Sequence, residues 1–387
     1  MIDESRIEET VKAISFPRLS GTADERKILT LMSKKLAMLN LDLHIQDFEF
    51  STFFGRSYPK IGFLFGFVLI VFFYLNFESI LIPVLSLIIL ITLISTFLIT
   101  RNPENIRLKR ILSSANIYVK ILPSEEKQEE QDTNNLNIFF FSHLDSKGQR
   151  FSILARIRAI RVWAFTSLIL VVIIILKNYL FVQLALLFYG IGLIPFFLNL
   201  IATILILFNT SNNLSDGAID DASGISCVFE LLNHYLEPES RLKNFNLFFV
   251  FTGAEECGTM GIRNFYKLIK DLSKESIFFF NFDSIAKSIY LFPGKNHSNR
   301  VKTLYKMFLS NKMGLEIKSN PKKIYFGSHS DGYYMKRMGF DGIGIGDMDC
   351  YKYIHSINDT PDRVNYSLLK KLCEVIIDVL DSYDKQF

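Results

Sequence analysis

Apolar residues recur along this chain in three rhythms. Short unbroken runs of strand length lie at Ala115 to Ile121, Leu136 to Phe141, Asn246 to Phe251 and Ser276 to Phe282. Asp42 to Phe50 alternates like a strand, and Asp341 to Ile345 is a further short run. Between them come stretches with helical spacing: Ile7 to Ile14, Ala23 to Leu39 with Ser20 or Thr22 as cap, Ala222 to Tyr235, and Arg263 to Leu272. Val301 to Ser310, Tyr333 to Met338 and Leu368 to Leu380 continue the series, while Ser124 to Asn135 reads as a solvated polar turn. Strands alternate with helices, which predicts one α/β domain with a mostly parallel or mixed central sheet flanked by helices.

The third rhythm is much longer. Ile61 to Phe77 and Ser79 to Thr100 are apolar stretches broken only by Asn76 and Glu78, and Val162 to Phe208 is a second block, interrupted by Lys177 and Asn178. Uncharged runs of this length are rare in soluble cores, so each block predicts a transmembrane helical hairpin, four spans in all. The folded domain is then expected in three pieces, residues 1–60, 101–161 and 209–387, with hairpins inserted at 61–100 and 162–208.

Composition narrows the partners. The net charge is only +4, and the basic residues gather at the edges of the apolar blocks instead of forming a stripe, so a lipid bilayer is an expected partner and nucleic acid is not. Met1 to Thr10 is polar and acidic and reads as no cleavable signal, leaving insertion to the internal spans. Cys227, Cys257, Cys350 and Cys373 show no CxxC spacing and read as reduced thiols; Cys257, beside two glutamates, is also a candidate ligand.

The candidate chemistry stands at strand ends, where open α/β sheets bind ligands. Glu255 and Glu256 follow one apolar run, and in extended backbone their side chains would point to opposite sides, one to a metal and one to its water. His143 ends another run, with Asp145 two residues on to accept the other ring N–H. Asp220 and Asp221 lie in a glycine-bounded turn before a helix, where a plain helix cap is the common alternative. Asp283 ends a third run, and His355 follows later. Together His143, Asp220, Glu256, Asp283 and His355 supply two imidazoles and three carboxylates, a set that suits two zinc ions sharing one carboxylate, with Glu255 left as general base. The absence of Cys from the set marks a catalytic site more than a structural one.

In order along the chain, HLDS at 143–146, GAIDDASG at 217–224, GAEECGTMG at 253–261, NFDSIA at 281–286, SDGYY at 330–334 and IHSINDT at 354–360 resemble metallopeptidase family twenty-eight. That family holds dizinc aminopeptidases, glutaminyl cyclases and transferrin-receptor-like proteins. The resemblance implies a zinc aminopeptidase acting on peptides, which the apolar blocks would embed in a membrane. It implies that Asp220 bridges two zincs, with His143 and Asp283 on one and Glu256 and His355 on the other. It further implies that Asp145 orients His143, that Asp221 sits at the turn beside the bridge, and that Glu255 takes a proton from the attacking water and returns it to the leaving amine. Arg18, Gly21 and Thr22 look like the family's amino-terminal start. Where some relatives carry an oxyanion-stabilising tyrosine before the SD pair, this chain has Gly327, Ser328 and His329, leaving Tyr325 and His329 as candidates; Ile262 replaces a small residue.

His143 precedes the second apolar block and the other four ligands follow it, so one shared site requires an even number of crossings between them. Arg56, Lys60, Arg101, Arg107, Lys109, Arg110, Arg150, Arg156, Arg158 and Arg161 flank the domain side, which predicts a cytoplasmic domain. Glycosylation triplets at Asn209 and Asn296 point the other way. A hairpin entering among the site loops predicts a cleft near the bilayer surface and membrane-proximal peptides as substrates. Two other functions compete. A single-zinc glutaminyl cyclase is disfavoured by the Asp220-Asp221 doublet and by the lone tryptophan, Trp163, lying in an apolar span; a non-catalytic scaffold is disfavoured by the filled ligand positions.

Overall fold

Four strands that are apolar on both faces lie side by side and parallel at the centre of a mixed eight-stranded sheet. The computed structural model describes residues 2–77, 79–123, 136–293, 298–310, 314–319 and 329–386. By its internal contacts the chain divides into two compact units. One comprises residues 1–50, 112–148 and 212–387, the other residues 51–111 and 149–211. The polar turn at 124–135, Glu78, the triplet at Asn296 and the candidate Tyr325 lie outside the described residues.

The strands of the sheet are β1 (Leu43–Ser51), β2 (Ile111–Ile121), β3 (Leu136–His143), β4 (Phe245–Thr252), β5 (Ile277–Phe282), β6 (Ile289–Phe292), β7 (Ile317–Ser319) and β8 (Asp341–Gly346). They run in the order β1-β2-β4-β3-β5-β8-β6-β7. β4, β3, β5 and β8 are parallel, and β2 and β6 pair antiparallel to the outer two of them. The chain leaves β3 for β4 on one side and returns to β5 on the other, so the strand order reverses around β3. Side chains from neighbouring carboxyl ends converge at such a reversal. The register fixes which ones: His143 pairs with Thr252, Phe141 with Asn281 and Ile345 with Phe282.

Burial of both faces explains why these strands read as unbroken apolar runs. On one face Phe139, Phe141, Val250 and Phe279 pack under Ile262, Phe265 and Ile269 of the helix Met260–Ile269 and under Tyr334 and Met335 of the helix Asp331–Arg337. Phe265 stands edge-on to Phe139 and Phe141 at 5.9 and 5.8 Å. On the other face Phe140 stacks between Phe249 at 5.0 Å and Phe280 at 5.7 Å. Each buried ring contributes about 1.5–3 kcal/mol by transfer alone, so the four strand ends are held by a stiff platform.

The sequence reading needs four corrections here. The Glu255-Glu256 pair is not extended: Ala254 adopts φ +51, and Glu255–Cys257 form a 3-10 turn, so both carboxylates fold back over the sheet edge. The helix after it starts at Met260, not Arg263, because Thr259 at φ +57 already ends that turn. β6 and β7 were not expected; at four and three residues they are too short for a periodic signal. The second apolar block starts as a helix at Ile153, where the Ser152 side chain caps Ala155 N, so Arg156, Arg158 and Arg161 ride on its first turns.

The second unit contains four helices long and apolar enough to cross a membrane: Tyr58–Leu75, Leu81–Ile99, Ile153–Leu180 and Val182–Phe208. Pro59 opens the first, and Asn76 in the left-handed region closes it. Their outer faces carry exposed apolar side chains such as Leu186 (86% exposed) and Ile194 (72%), which water solvates poorly. Packing among them depends on small residues. A Cβ on Gly66 would come within 2.8 Å of Trp163, and one on Gly192 within 2.5 Å of Tyr74. Asn199 Nδ2 donates to Trp163 O, Thr166 Oγ1 and Ser167 Oγ at 2.8–2.9 Å, a polar tie between two spans. Lys177, where the second apolar block is interrupted, is buried: Nζ donates to Tyr74 O at 2.9 Å and lies 3.8 Å from the Tyr189 ring centroid.

Candidate metal centre

All five candidate ligands from the sequence meet at the carboxyl edge of the sheet, in two groups that share Asp220. One is His143, Asp220 and Asp283; the other is Asp220, Glu256 and His355, with ligand atoms in each group within 4.8 Å of one another. His143 Nε2 lies 3.0 Å from Asp220 Oδ1, and His355 Nε2 lies 3.1 Å from Asp220 Oδ2, so each oxygen of one carboxylate faces a different imidazole. His355 Nε2 is also 2.7 Å from Glu256 Oε1. That oxygen is buried and belongs to the second ligand group. Imidazole nitrogens and carboxylate oxygens converging at these distances fit a shared cation, and the nitrogen and oxygen donors suit zinc.

Loops from several elements bring these groups together. His143 is the last residue of β3, and its backbone N–H donates to Asp221 Oδ2 at 3.1 Å. Asp221 Oδ1 accepts from Gly224 N and Ser284 N, both at 3.2 Å. The capping role therefore falls to Asp221 and leaves Asp220 free for the imidazoles; the peptide between the two is cis. Asp283 N donates to Ile345 O at 3.0 Å, extending the β5 to β8 pairing, while its Oδ1 accepts from Ser284 Oγ at 2.9 Å.

Asp145 has two functions of different strength. Its backbone carbonyl lies 3.0 Å from His143 Nδ1, whereas its carboxylate oxygen is 3.5 Å away. The carbonyl therefore aims the ring. The carboxylate accepts from Glu255 N and Glu256 N, each at 3.0 Å, and from Ser20 Oγ at 2.5 Å, so it fixes the turn that carries both glutamates. Arg18, fully buried, donates to Leu144 O, Asp216 O and Gly217 O at 2.6–2.8 Å and ties the amino-terminal segment to two of the site loops.

Burial opposes ionisation throughout, and the individual partners decide which groups yield. For Glu255, burial and then the neighbouring Glu256, Asp331 and Asp283 charges outweigh His143 and raise its pKa well above the usual range. Burial also acts against Glu256, but His355 and Lys147 hold it down to about 2. Burial and Asp220 push Asp283 up to about 6. Burial would lower the pKa of His143, yet contacts with Asp145 and Asp220 raise it well above its ordinary value. Bound cations would invert that balance, because zinc takes neutral imidazoles and ionised carboxylates.

Three buried carboxyls had no assigned role in the sequence reading. Asp359, inside the IHSINDT stretch, accepts from Ile219 N at 2.6 Å and so holds the turn bearing Asp220. Asp331, in SDGYY, accepts from Thr252 Oγ1 at 2.5 Å. Glu25, in the first turn of the helix that Thr22 caps, accepts from Gly21 N at 2.5 Å, Ser114 Oγ at 2.7 Å and Ala254 N at 3.0 Å, bracing the glutamate turn. His329 is exposed, with its ring 6.3 Å from that of Tyr333, and Cys257 belongs to neither ligand group.

Burial, then Asp145, raises the Glu25 pKa to about 8. A carboxyl raised in the folded state binds its proton more tightly there. Its stabilisation is therefore complete below the unfolded carboxyl range and is lost as pH rises through about 8. The expected result is a thermal midpoint in detergent that falls between pH 5 and pH 9, with a shallower fall in Glu25→Gln. Equal slopes in the two proteins would remove Glu25 from this account.

Residues 203–380 match the family model described as peptidase family M28. A search of curated protein sequences finds no match. Among solved structures, an aminopeptidase from Aneurinibacillus sp. strain AM-1 is similar at 12% identity and a TM-score of 0.56, covering 98% of this chain and 93% of its own. A zinc aminopeptidase from Bacillus subtilis is similar at 12% identity and a TM-score of 0.56, with coverage of 99% and 96%. A glutaminyl cyclase from Fimbriiglobus ruber is similar at 14% identity and a TM-score of 0.56, with coverage of 98% and 95%. At these identities the likeness shows a shared fold, a mixed sheet flanked by helices. Residues 203–380 thus match peptidase family M28, and the fold shared with these aminopeptidases and this cyclase extends over nearly the whole chain.

Proposed function

We propose that the chain is a membrane-embedded, zinc-dependent exopeptidase that removes residues from the amino end of peptides. One observation carries the reading: two ligand groups share the single carboxylate of Asp220, with the buried Glu255 next in sequence to one of the ligands. His143, Asp220 and Asp283 would hold one zinc, and Asp220, Glu256 and His355 the other. Bound there, zinc would supply Lewis-acid polarisation of the scissile carbonyl and a water acidic enough to be deprotonated near neutral pH.

The chain's own residues would do the rest. Glu255 Oε takes the proton of the attacking water and delivers it to the leaving amine, and its burial keeps it basic enough for both steps. Asp145 holds Glu255 and Glu256 in one rigid turn through their backbone N–H groups, fixing the distance between base and ligand. The four apolar helices support insertion in a bilayer, and the arginines and lysines flanking them support a cytoplasmic domain. Peptides near the membrane surface would then be the substrates most readily presented.

The cyclase among the structural relatives keeps a single-zinc alternative in play. A peptide mixture separates the two. The proposal expects detergent-purified protein to release amino-terminal residues from free peptides, to spare acetylated ones, and to stop when 1,10-phenanthroline removes the metal. Pyroglutamate formation from glutamine-terminated peptides without amino acid release would contradict it.

A further inference from the structure

Lys147 is a cation beside the ligand groups that the proposed chemistry does not use. It follows Ser146, whose backbone N–H donates to Arg18 O at 3.1 Å and whose Oγ donates to Ser215 O at 3.0 Å, so the loop presenting it is pinned. Its side chain is 13% exposed and its Nζ donates to Glu256 Oε2, on a side chain only 5% exposed. The other oxygen of the same carboxylate, Oε1, faces His355 Nε2. One carboxylate is thus divided between a fixed ammonium and one of the two ligand groups. The contacts of His143, Asp220 and Asp283 described above include no ammonium or guanidinium. The charge of Lys147 bears on Glu256 and His355 alike, while the leading influences on His143 and Asp283 do not include it.

The physical consequence follows from charge and geometry. A largely buried ammonium cannot leave its carboxylate cheaply, because it would be stranded without water or partner. A dication bound at Oε1 must therefore share the charge of Glu256 with Lys147 and is repelled by it across a few ångströms of low-dielectric protein. Lys147 also keeps Oε2 occupied, so Glu256 offers one ligand oxygen instead of two. Resting on the two-zinc reading, we propose that Lys147 makes the two metal subsites unequal: His143, Asp220 and Asp283 take the first zinc firmly, while Asp220, Glu256 and His355 hold a weaker, exchangeable one. Sharing Asp220 would separate two affinities in any case; Lys147 widens the gap and decides which subsite is weak.

The test is a zinc titration of the full-length protein in detergent, against a competing chelator of known affinity, for wild type, Lys147→Met and Lys147→Arg. Methionine keeps the length of the side chain and removes the charge. The expected result is two separated affinities in wild type, with the weaker tightened by about tenfold or more in Lys147→Met, since even a fraction of a close charge repulsion is worth that much. The tight site should be unchanged, which also reports intact folding, and Lys147→Arg should keep the wild-type gap. At one zinc equivalent, anomalous scattering from wild-type crystals should lie at His143, Asp220 and Asp283. An unchanged gap in Lys147→Met, or the first zinc at Glu256 and His355, would overturn the proposal while leaving the two-zinc reading intact. No zinc at either subsite would overturn that reading and this proposal with it.

Discussion

Asp220→Asn is expected to remove zinc binding and peptide hydrolysis together. Each oxygen of the Asp220 carboxylate faces a different imidazole, so this one residue belongs to both ligand groups. An amide is a nearly isosteric replacement with no charge and only one acceptor atom, so it cannot bridge two cations. Loss of an outer partner alone typically weakens a metal site by about 10–100-fold, and loss of the shared ligand should exceed that at both subsites. If metal stabilises the transition state by several kcal/mol, the rate should fall by roughly 10³ or more. The turn itself should survive, because Asp359 holds Ile219 N and Asp221 caps the following helix without help from Asp220. Wild-type turnover in Asp220→Asn would refute the shared-carboxylate centre.

Glu255→Gln separates binding from chemistry. The glutamine keeps the backbone N–H that Asp145 accepts, so the turn and the neighbouring ligand Glu256 should stay in place and zinc content should match wild type. What disappears is the proton acceptor. General acid–base catalysis is commonly worth about 10²–10⁴ in rate, and a drop in kcat of that size is expected with KM little changed. Full activity with full metal would assign the proton transfer to another group. A parallel loss of metal would instead give Glu255 a structural part in the centre.

Much of this was legible in the sequence because the chemistry sits where the hydrophobic pattern stops. His143 and Asp283 each stand at the end of a buried apolar run, and the parallel register then brings them to one edge. What was not legible depended on backbone conformation or on tertiary partners. Positive φ at Ala254 turns the glutamate pair out of extended geometry, and alanine gives no warning of it. Glu25 has no sequence signal for its role, because the groups that claim its carboxylate, Ser114 and Ala254, are remote along the chain. Lys147 carries no local signal of its partner, and only the fold places it on Glu256. Short strands such as Ile289–Phe292 lie below the length at which period two can be seen.

The central claim is a pair of zinc ions on one shared carboxylate, and metal content of the purified, full-length protein tests it most directly. The account predicts two zinc equivalents per chain in wild type, and near none in Asp220→Asn under the same conditions. A wild-type protein that, saturated with zinc and then freed of excess, retains none, or that keeps its zinc when Asp220 is changed, would contradict it.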